Sequence, residues 1–411
     1  MNRDIIYTCD VNNTKNNFSR TLYLYDKKIV ISSTKQDQTT NDAVQEQRGR
    51  SIDLSSFSTT ISWIFNKTII QGFQVSYYCR FSSAQKSLTY RGKAEDMKQL
   101  KKLLDCKVLY TDFNNDYLFV SSLHSKEDSE IQKYVQKATS QEKLVKKVNL
   151  KMNQQVSFQQ LFKSKLEKEV NILFELKQQK HKSILEIEEI YKESNEIIFI
   201  MKYCEGGTLY NYILNRKYQI EQSEIKCIMK RLLKGVKHLH KLGIIHRDLK
   251  LDNIVLEKEN DIKSVKIIDF GFAVEFGYQN IMRCGTPGYM APEILNQQDY
   301  NELVDIYSLG SVFHALSSGQ KLYPEYRDKN HLVFLNKLNK YKISSKIIDT
   351  EQRQLLLLMI GHRKHRPSAS FCLKHQFFRQ RSEIPHPIET QLKLLNFPTL
   401  KNPFRNQTGK Y

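Results

Sequence analysis

The sequence predicts an α+β chain: a β-rich N-terminal third, then a mixed region, then a helix-rich remainder. Up to residue 112, short segments of alternating polarity, TLYLY (21–25), KIVIS (28–32), TTISWIF (59–65) and FQVSYYCRF (73–81), are divided by polar stretches. Farther on, apolar residues recur at helical spacing over KLEKEVNILFELKQ (165–178), SEIKCIMKRLLKGVKHLHKLG (223–243) and TEQRQLLLLMIG (350–361). The 411 residues, 40% hydrophobic and 26% charged, suffice for more than one core and exclude collagen-like, coiled-coil and wholly disordered chains.

Taken in order, the strand-like segments close on KAEDMKQLKKLLDCKV (93–108), where Met97, Leu100, Leu103 and Leu104 share one helical face. A run of strands followed by one amphipathic helix resembles the layout of a pleckstrin-homology-like domain. The resemblance implies a small mostly-β module over residues 1–112 with a protein or lipid partner. Lys27 and Lys28 stand nearly alone in its first hairpin, so a lipid surface requires Arg48, Arg50, Lys67 and Arg80 to converge at one open end. The polar stretch Thr34–Arg50 reads as a long loop. Residues 113–378 form the second expected unit, and 379–411, with Pro385, Pro387, Pro398 and Pro403, form a tail.

Lys and Arg outnumber Asp and Glu by 64 to 44, a net charge of +20. The lysines are scattered rather than gathered into a basic block with interleaved aromatics, which argues against a nucleic-acid partner. Seven widely spaced cysteines (Cys9, Cys79, Cys106, Cys204, Cys227, Cys284, Cys372), with no CxxC, read as reduced thiols of a cytoplasmic chain. MNRDIIYTCD lacks an apolar signal region, Asn2 is not a myristoylation glycine, and no apolar run approaches the length of a membrane span.

The decisive residues are IIHRDLKLDN (244–253), KIIDFG (266–271), GTPGYMAPE (285–293) and DIYSLG (305–310). Four signatures in this order resemble the eukaryotic protein kinases, over about residues 117–378. The resemblance implies a two-lobed fold, with a small β-rich lobe and a large helical lobe, and transfer of the γ-phosphate of ATP to protein hydroxyls with Mg²⁺. Such chemistry needs metal ligands, a proton acceptor and cations around an in-line attack. Carried over position by position, Asp248 accepts the hydroxyl proton, Lys250 neutralises the γ-phosphate, and Asn253 and Asp269 are the Mg²⁺ ligands. Lys250 and Thr286 match the serine/threonine branch, Thr286 as a catalytic hydrogen-bond partner. Arg247 is the residue that pairs with an activation-segment phosphate in many members. Yet between Gly271 and Ala291 the only hydroxyl residues are Tyr278, Thr286 and Tyr289, with Met282 and Arg283 before Cys284. Activity is therefore expected not to require that phosphate. Asp305 resembles the buried brace of the catalytic loop, and Glu293 with Arg366 a large-lobe ion pair. His238, His240 and His246 suggest a metal site by spacing, but the family places them in packed core, with His246 in the spine beside Leu173, Ile187 and Phe270.

The small lobe departs from the family. Counting back without gaps, Lys146 falls at the ATP-contacting lysine, with Lys147 as rival, and Ile131 at the apolar residue ending the glycine loop. The three glycine positions then fall on His124, Lys126 and Ser129, and no glycine occurs between Gly92 and Gly206. Side chains there obstruct backbone approach to phosphate, or strain the backbone by roughly 1–2 kcal/mol per forced left-handed residue. Glu127 and Asp128 add repulsion, which Lys126 offsets in part. Glu167 and Glu169 compete as partner of Lys146, and Glu169 carries an apolar residue, Leu173, four positions on. At the adenine end, Met201 resembles the gatekeeper, Lys202 and Cys204 the hinge, Glu205 a ribose contact and Val255 the apolar floor. Two readings stay open: an active serine/threonine kinase, and a pseudokinase acting as an interaction protein because its glycine loop has decayed. The complete set of Asp248, Asn253 and Asp269 favours the first.

Overall fold

The computed structural model describes residues 5–15, 18–32, 49–54, 57–66, 69–79, 84–105, 107–126, 128–150, 156–277, 283–323 and 329–379. The expectations for most of the Thr34–Arg50 loop, for Arg48, Lys67 and Arg80, for Glu127, Tyr278 and Met282, and for the tail beyond Arg379 lie outside the described residues.

The N-terminal part holds β1 (Tyr7–Asn13), β2 (Ser19–Leu24), β3 (Lys28–Ser32), β4 (Gly49–Asp53), β5 (Thr60–Asn66), β6 (Ile69–Cys79), β7 (Ala84–Arg91) and α1 (Ala94–Leu104). Strands β1–β4 and β5–β7 are two antiparallel meanders joined where β1 runs against β7. The helix expected over 93–108 ends earlier, at Leu104, because Asp105 turns out of helical geometry (φ −52°, ψ 123°). Val108 is then free to enter the core, and Leu109–Tyr110 extend as β8. On α1, Met97, Leu100 and Leu104 are fully buried, whereas Leu103 packs only at the margin.

The small lobe follows as α2 (Phe113–Asp116), β9 (Tyr117–Ser125), β10 (Ser129–Gln136), β11 (Glu142–Asn149), α3 (Val156–Gln178), β12 (Ile187–Lys192) and β13 (Glu196–Lys202). The two-residue strand β8 lies parallel to both β5 and β12 and so fuses module and small lobe into one 13-stranded sheet, ordered β4-β3-β2-β1-β7-β6-β5-β8-β12-β13-β11-β10-β9. Side chains alternate across this sheet. On β13, Ile197 and Phe199 join the core shared with α3 and the large lobe, while Ile198 and Ile200 join the core of the N-terminal module. Burying each isoleucine on the module side stabilises by roughly 1.5–3 kcal/mol. Phe113 extends this second core by stacking on Tyr117 (centroids 5.0 Å apart) and meeting Tyr191 edge-on (5.5 Å).

The large lobe comprises α4 (Leu209–Asn215), α5 (Gln222–Lys241), β14 (Ile244–Ile245), β15 (Ile254–Leu256), β16 (Val265–Ile267), β17 (Val274–Glu275), α6 (Pro292–Leu295), α7 (Leu303–Ser318), α8 (Lys329–Lys337), α9 (Thr350–Met359) and α10 (Ala369–Cys372). Helix α5 opens with a reciprocal capping box between Glu221 and Glu224. It buries Ile225, Ile228, Met229, Leu232, Val236 and Leu239 along one stripe. Helix α7 is buried on nearly every side, which makes it a rigid post for the residues described next. Among the described residues no helix is long and apolar enough to cross a membrane.

Candidate active site

The segment between β14 and β15 carries Arg247, Asp248, Lys250 and Asn253 over the first turn of α7. Asp305 of α7 is fully buried and accepts from the backbone N–H groups of His246 and Arg247, both at 2.9 Å, and meets His240 Nε2 at 3.0 Å. Burial alone would raise its pKa; the hydrogen bond and charge of His240 overcome that and lower it. This clamp holds Arg247 in the left-handed region at φ +67°, a conformation that persists in a non-glycine residue only where its surroundings impose it. Gly285 is required opposite, since its φ is +105° and a Cβ there would lie 2.7 Å from the Arg247 carbonyl oxygen.

Asp248 is 4% exposed and sits at the centre of a polar cluster. Its Oδ1 accepts from Thr286 Oγ1 (2.7 Å), and its Oδ2 accepts from Asn253 Nδ2 (2.9 Å) and faces Lys250 Nζ at 3.2 Å. Lys250 also donates to Thr286 (2.8 Å). The carboxylate is thus oriented by three neighbours, each of which the sequence had singled out.

Across the cleft, Lys146 Nζ lies 3.0 Å from both Glu169 Oε1 and Asp269 Oδ1. Burial works against the charge on Lys146, but the two carboxylates more than compensate and raise its pKa. Burial likewise pushes Asp269 upward, and Lys146 outweighs it, leaving this carboxyl well below the usual range. Strand alternation decides between the rival lysines. Lys147 points to the other face, with its ammonium 5.3 Å from the ring centres of Phe113 and Tyr134. Phe270 packs 5.0 Å from the buried ring of His246, and Leu173 and Ile187 belong to the same core.

In the β9–β10 hairpin Ile131 faces His124 on one side and Lys146 on the other, and the Lys126 N–H bonds the Ser129 carbonyl at 2.8 Å. One expectation is corrected here. None of His124, Lys126 and Ser129 has a positive φ, so the missing glycines leave no left-handed strain and only the steric objection remains. At the adenine end, Met201 pairs with Leu144 across β11–β13, and Val255 is buried and bridges to Thr208. Lys202 turns its side chain outward to Glu257 (2.5 Å), and Cys204 Sγ lies 3.7 Å from the Lys202 carbonyl oxygen. Glu205 is exposed at the end of the hinge and makes no hydrogen bond among the described residues.

Arg366 grips Glu293 with two donors, at 2.5 and 3.2 Å, inside the large lobe. His238 stacks on His181 (5.0 Å) and meets the Gln179 carbonyl oxygen at 2.7 Å. Two contributors went unread in the sequence. Asn336 of α8 is fully buried, accepts from Gly288 N–H (2.9 Å) and donates to the Met290 carbonyl (3.0 Å), fixing the segment after Thr286. Tyr300 binds the Arg247 side chain. Neither lies in a local pattern that would have marked it.

The donor set suits Mg²⁺. Asn253 spends its amide hydrogens on Asp248, and Asp269 spends Oδ1 on Lys146 and the Gly271 N–H. Asn253 Oδ1 and Asp269 Oδ2 accept nothing from the described residues, which leaves two hard oxygen donors for an ion that completes its shell with phosphate and water.

This arrangement gathers a buried carboxylate cluster and a lysine–carboxylate triad in one cleft between two lobes, and comparison with known proteins gives the family. The protein kinase domain matches residues 126–378, well over half of the chain, and the chain belongs to that family. It is similar to a probable serine/threonine-protein kinase 2 of Plasmodium falciparum, 39% identical over 186 residues that cover 44% of this chain and 36% of the relative. It is also similar to serine/threonine-protein kinase 33 of Bos taurus (35% over 231 residues, 52% and 46%) and to serine/threonine-protein kinase CLA4 of Candida albicans (32% over 222 residues, 52% and 22%). The chain therefore spans less than half the length of each of these relatives.

Proposed function

We infer that the chain is an active ATP-dependent serine/threonine protein kinase. The observation that carries this reading is the complete cluster in which Asp248 is oriented by Thr286, Asn253 and Lys250, facing the Lys146–Glu169–Asp269 triad. An acceptor hydroxyl placed against Asp248 passes its proton to that carboxylate as it attacks, while Lys250 offsets charge on the transferred group. Lys146 orients the α- and β-phosphates, held in place by Glu169. Mg²⁺, when bound through Asn253 and Asp269, supplies charge neutralisation on the phosphate oxygens. The hinge backbone of Lys202 and Cys204 receives adenine between Val255 and Ile131, below Met201, with Glu205 toward the ribose. An intact proton acceptor and metal-ligand set supports this reading over the pseudokinase.

The described cysteines Cys9, Cys204, Cys227, Cys284 and Cys372 are free thiols, which supports a reducing compartment such as the cytoplasm. Residues 1–112 are a structural extension of the small lobe, and a protein partner of the module would act on the enzyme through that junction. Asp248→Asn tests the central assignment. Phosphate transfer to a generic basic protein should fall by about three orders of magnitude or more, the scale of losing a general base with its orientation. Nucleotide binding, read by Mg²⁺-dependent thermal shift, should persist. Equal incorporation by wild type and variant would overturn the role given to Asp248.

A further inference from the structure

Arg247 is 6% exposed, and its side chain is a cationic guanidinium. A guanidinium so placed needs acceptors, and among the described residues no carboxylate lies within ion-pair distance of it. Its side chain has two neutral partners: Nε donates to the Phe272 carbonyl oxygen at 2.6 Å, and Nη1 donates to the Tyr300 hydroxyl at 2.7 Å. Phe272 lies just beyond Asp269, and Tyr300 precedes α7 by three residues and Asp305 by five. The short stretch 300–305 therefore grips Arg247 at both ends, Asp305 by the backbone N–H and Tyr300 by the guanidinium. Between those grips lies the left-handed φ of Arg247, one bond away from the residue that receives the proton.

We propose that Tyr300 is a positioning residue for phosphotransfer: its hydroxyl ties down Arg247, and through it Asp248, so that the catalytic loop is set without a phosphate on the activation segment. This rests on the kinase reading above. Burial raises the Tyr300 pKa on balance, and the neutral phenol oxygen accepts from the Arg247 guanidinium in a charge-assisted bond. A phenol polarised by a buried cation is a stronger partner than a neutral pair in water. The bond joins the catalytic loop to the approach to α7, and the second Arg247 bond, to the Phe272 carbonyl, adds the start of the activation segment.

The test uses the full chain after exhaustive phosphatase treatment. Tyr300→Phe should lower kcat about tenfold while leaving KM for ATP unchanged, because the lost bond orients Asp248 and does not touch nucleotide. Arg247→Ala should lower kcat at least as far, and adding Tyr300→Phe to it should cost nothing more, the non-additivity expected of two residues acting as one unit. A Tyr300→Phe kcat within about twofold of wild type, losses that simply multiply, or a wild type active only before phosphatase treatment would each overturn the proposal. A wild type inactive in both states would defeat the enzyme reading instead. Amide hydrogen exchange over residues 244–253 then decides Tyr300 independently: faster exchange in Tyr300→Phe supports it, and unchanged exchange overturns it.

Discussion

Lys101→Met probes the junction between the N-terminal module and the small lobe. In the wild type, Lys101 of α1 meets Glu189 of β12 at 2.5 Å and Asp105 at 3.4 Å, while Glu189 also accepts from the hydroxyls of Tyr117 (2.7 Å) and Tyr191 (3.0 Å). Burial favours neutral Glu189, yet Lys101 and the tyrosines hold its pKa below the ordinary value. Removing the ammonium strands a carboxylate that is only 7% exposed, a loss of roughly 3–5 kcal/mol. Protonation sets a ceiling near the lower figure. Taking a carboxyl of ordinary pKa about 4.3 to its neutral form at pH 7 costs about 3.7 kcal/mol, and at pH 5 only about 1 kcal/mol. A carboxyl with a depressed folded-state pKa stabilises above its unfolded pKa and loses that contribution as pH falls, so the sign agrees. Lys101→Met should thus lose about 3 kcal/mol at pH 7 and much less at pH 5. Urea unfolding followed by fluorescence reads this directly, because Trp63 is the single tryptophan and lies at the junction, 5.9 Å from the Lys101 ammonium. Far-ultraviolet circular dichroism should move with it. A loss below about 1 kcal/mol at pH 7, the scale of a surface pair, would refute the reasoning, as would one that grows toward pH 5.

Two further outcomes follow from the cleft. Replacing His124, Lys126 and Ser129 by glycine should lower KM for ATP by about threefold or more through closer backbone approach, with adenosine affinity unchanged; steady-state kinetics with unchanged or raised KM would show that Lys126 already serves as the phosphate contact. Asp269→Asn should change stability by the same amount at every pH from 8 to about 5, since the depressed carboxyl is ionised throughout and its contribution fades only below the ordinary aspartate pKa near 3.9; thermal melts across that range check it.

What the sequence displayed and what it hid divide along a physical line. The catalytic loop was legible because its chemistry dictates residue types at fixed spacing, and Asp248, Asn253, Lys250 and Thr286 duly meet. Gapless counting onto the family's pattern places Lys146, helical spacing prefers Glu169 to Glu167, and the structure pairs the two. Strands β1, β4 and β7 carried no comparable signal. On β7 only Tyr90 is fully buried and the first four residues are exposed, so AQKSLTYR reads as a polar stretch. Tyr300 and Asn336 act through tertiary contact with residues 53 and 46 positions away, Arg247 and Met290, and no local pattern encodes such a meeting.

Strand β8 shows the same limit in its sharpest form, since two residues cannot display a period, yet they join the module to the small lobe. A signal for that junction did exist, one element farther along. Strand β13 reads EIIFIMK, with five apolar residues in succession where a strand with one wet face would alternate. Continuous apolarity demands cover on both faces. Helix α3 and the large lobe cover Ile197 and Phe199, and a lobe of five strands and one long helix has nothing left for Ile198 and Ile200. The same shortage holds on β11, where Val148 faces α3 and Val145 faces the other way. The N-terminal module meets that demand with α1 and Tyr110, and it pairs Lys101 of α1 with the buried Glu189 of β12. Its removal would expose an apolar sheet face and a charged residue evolved to be dry, so the small lobe that carries Lys146 depends on residues 1–112 for its own core.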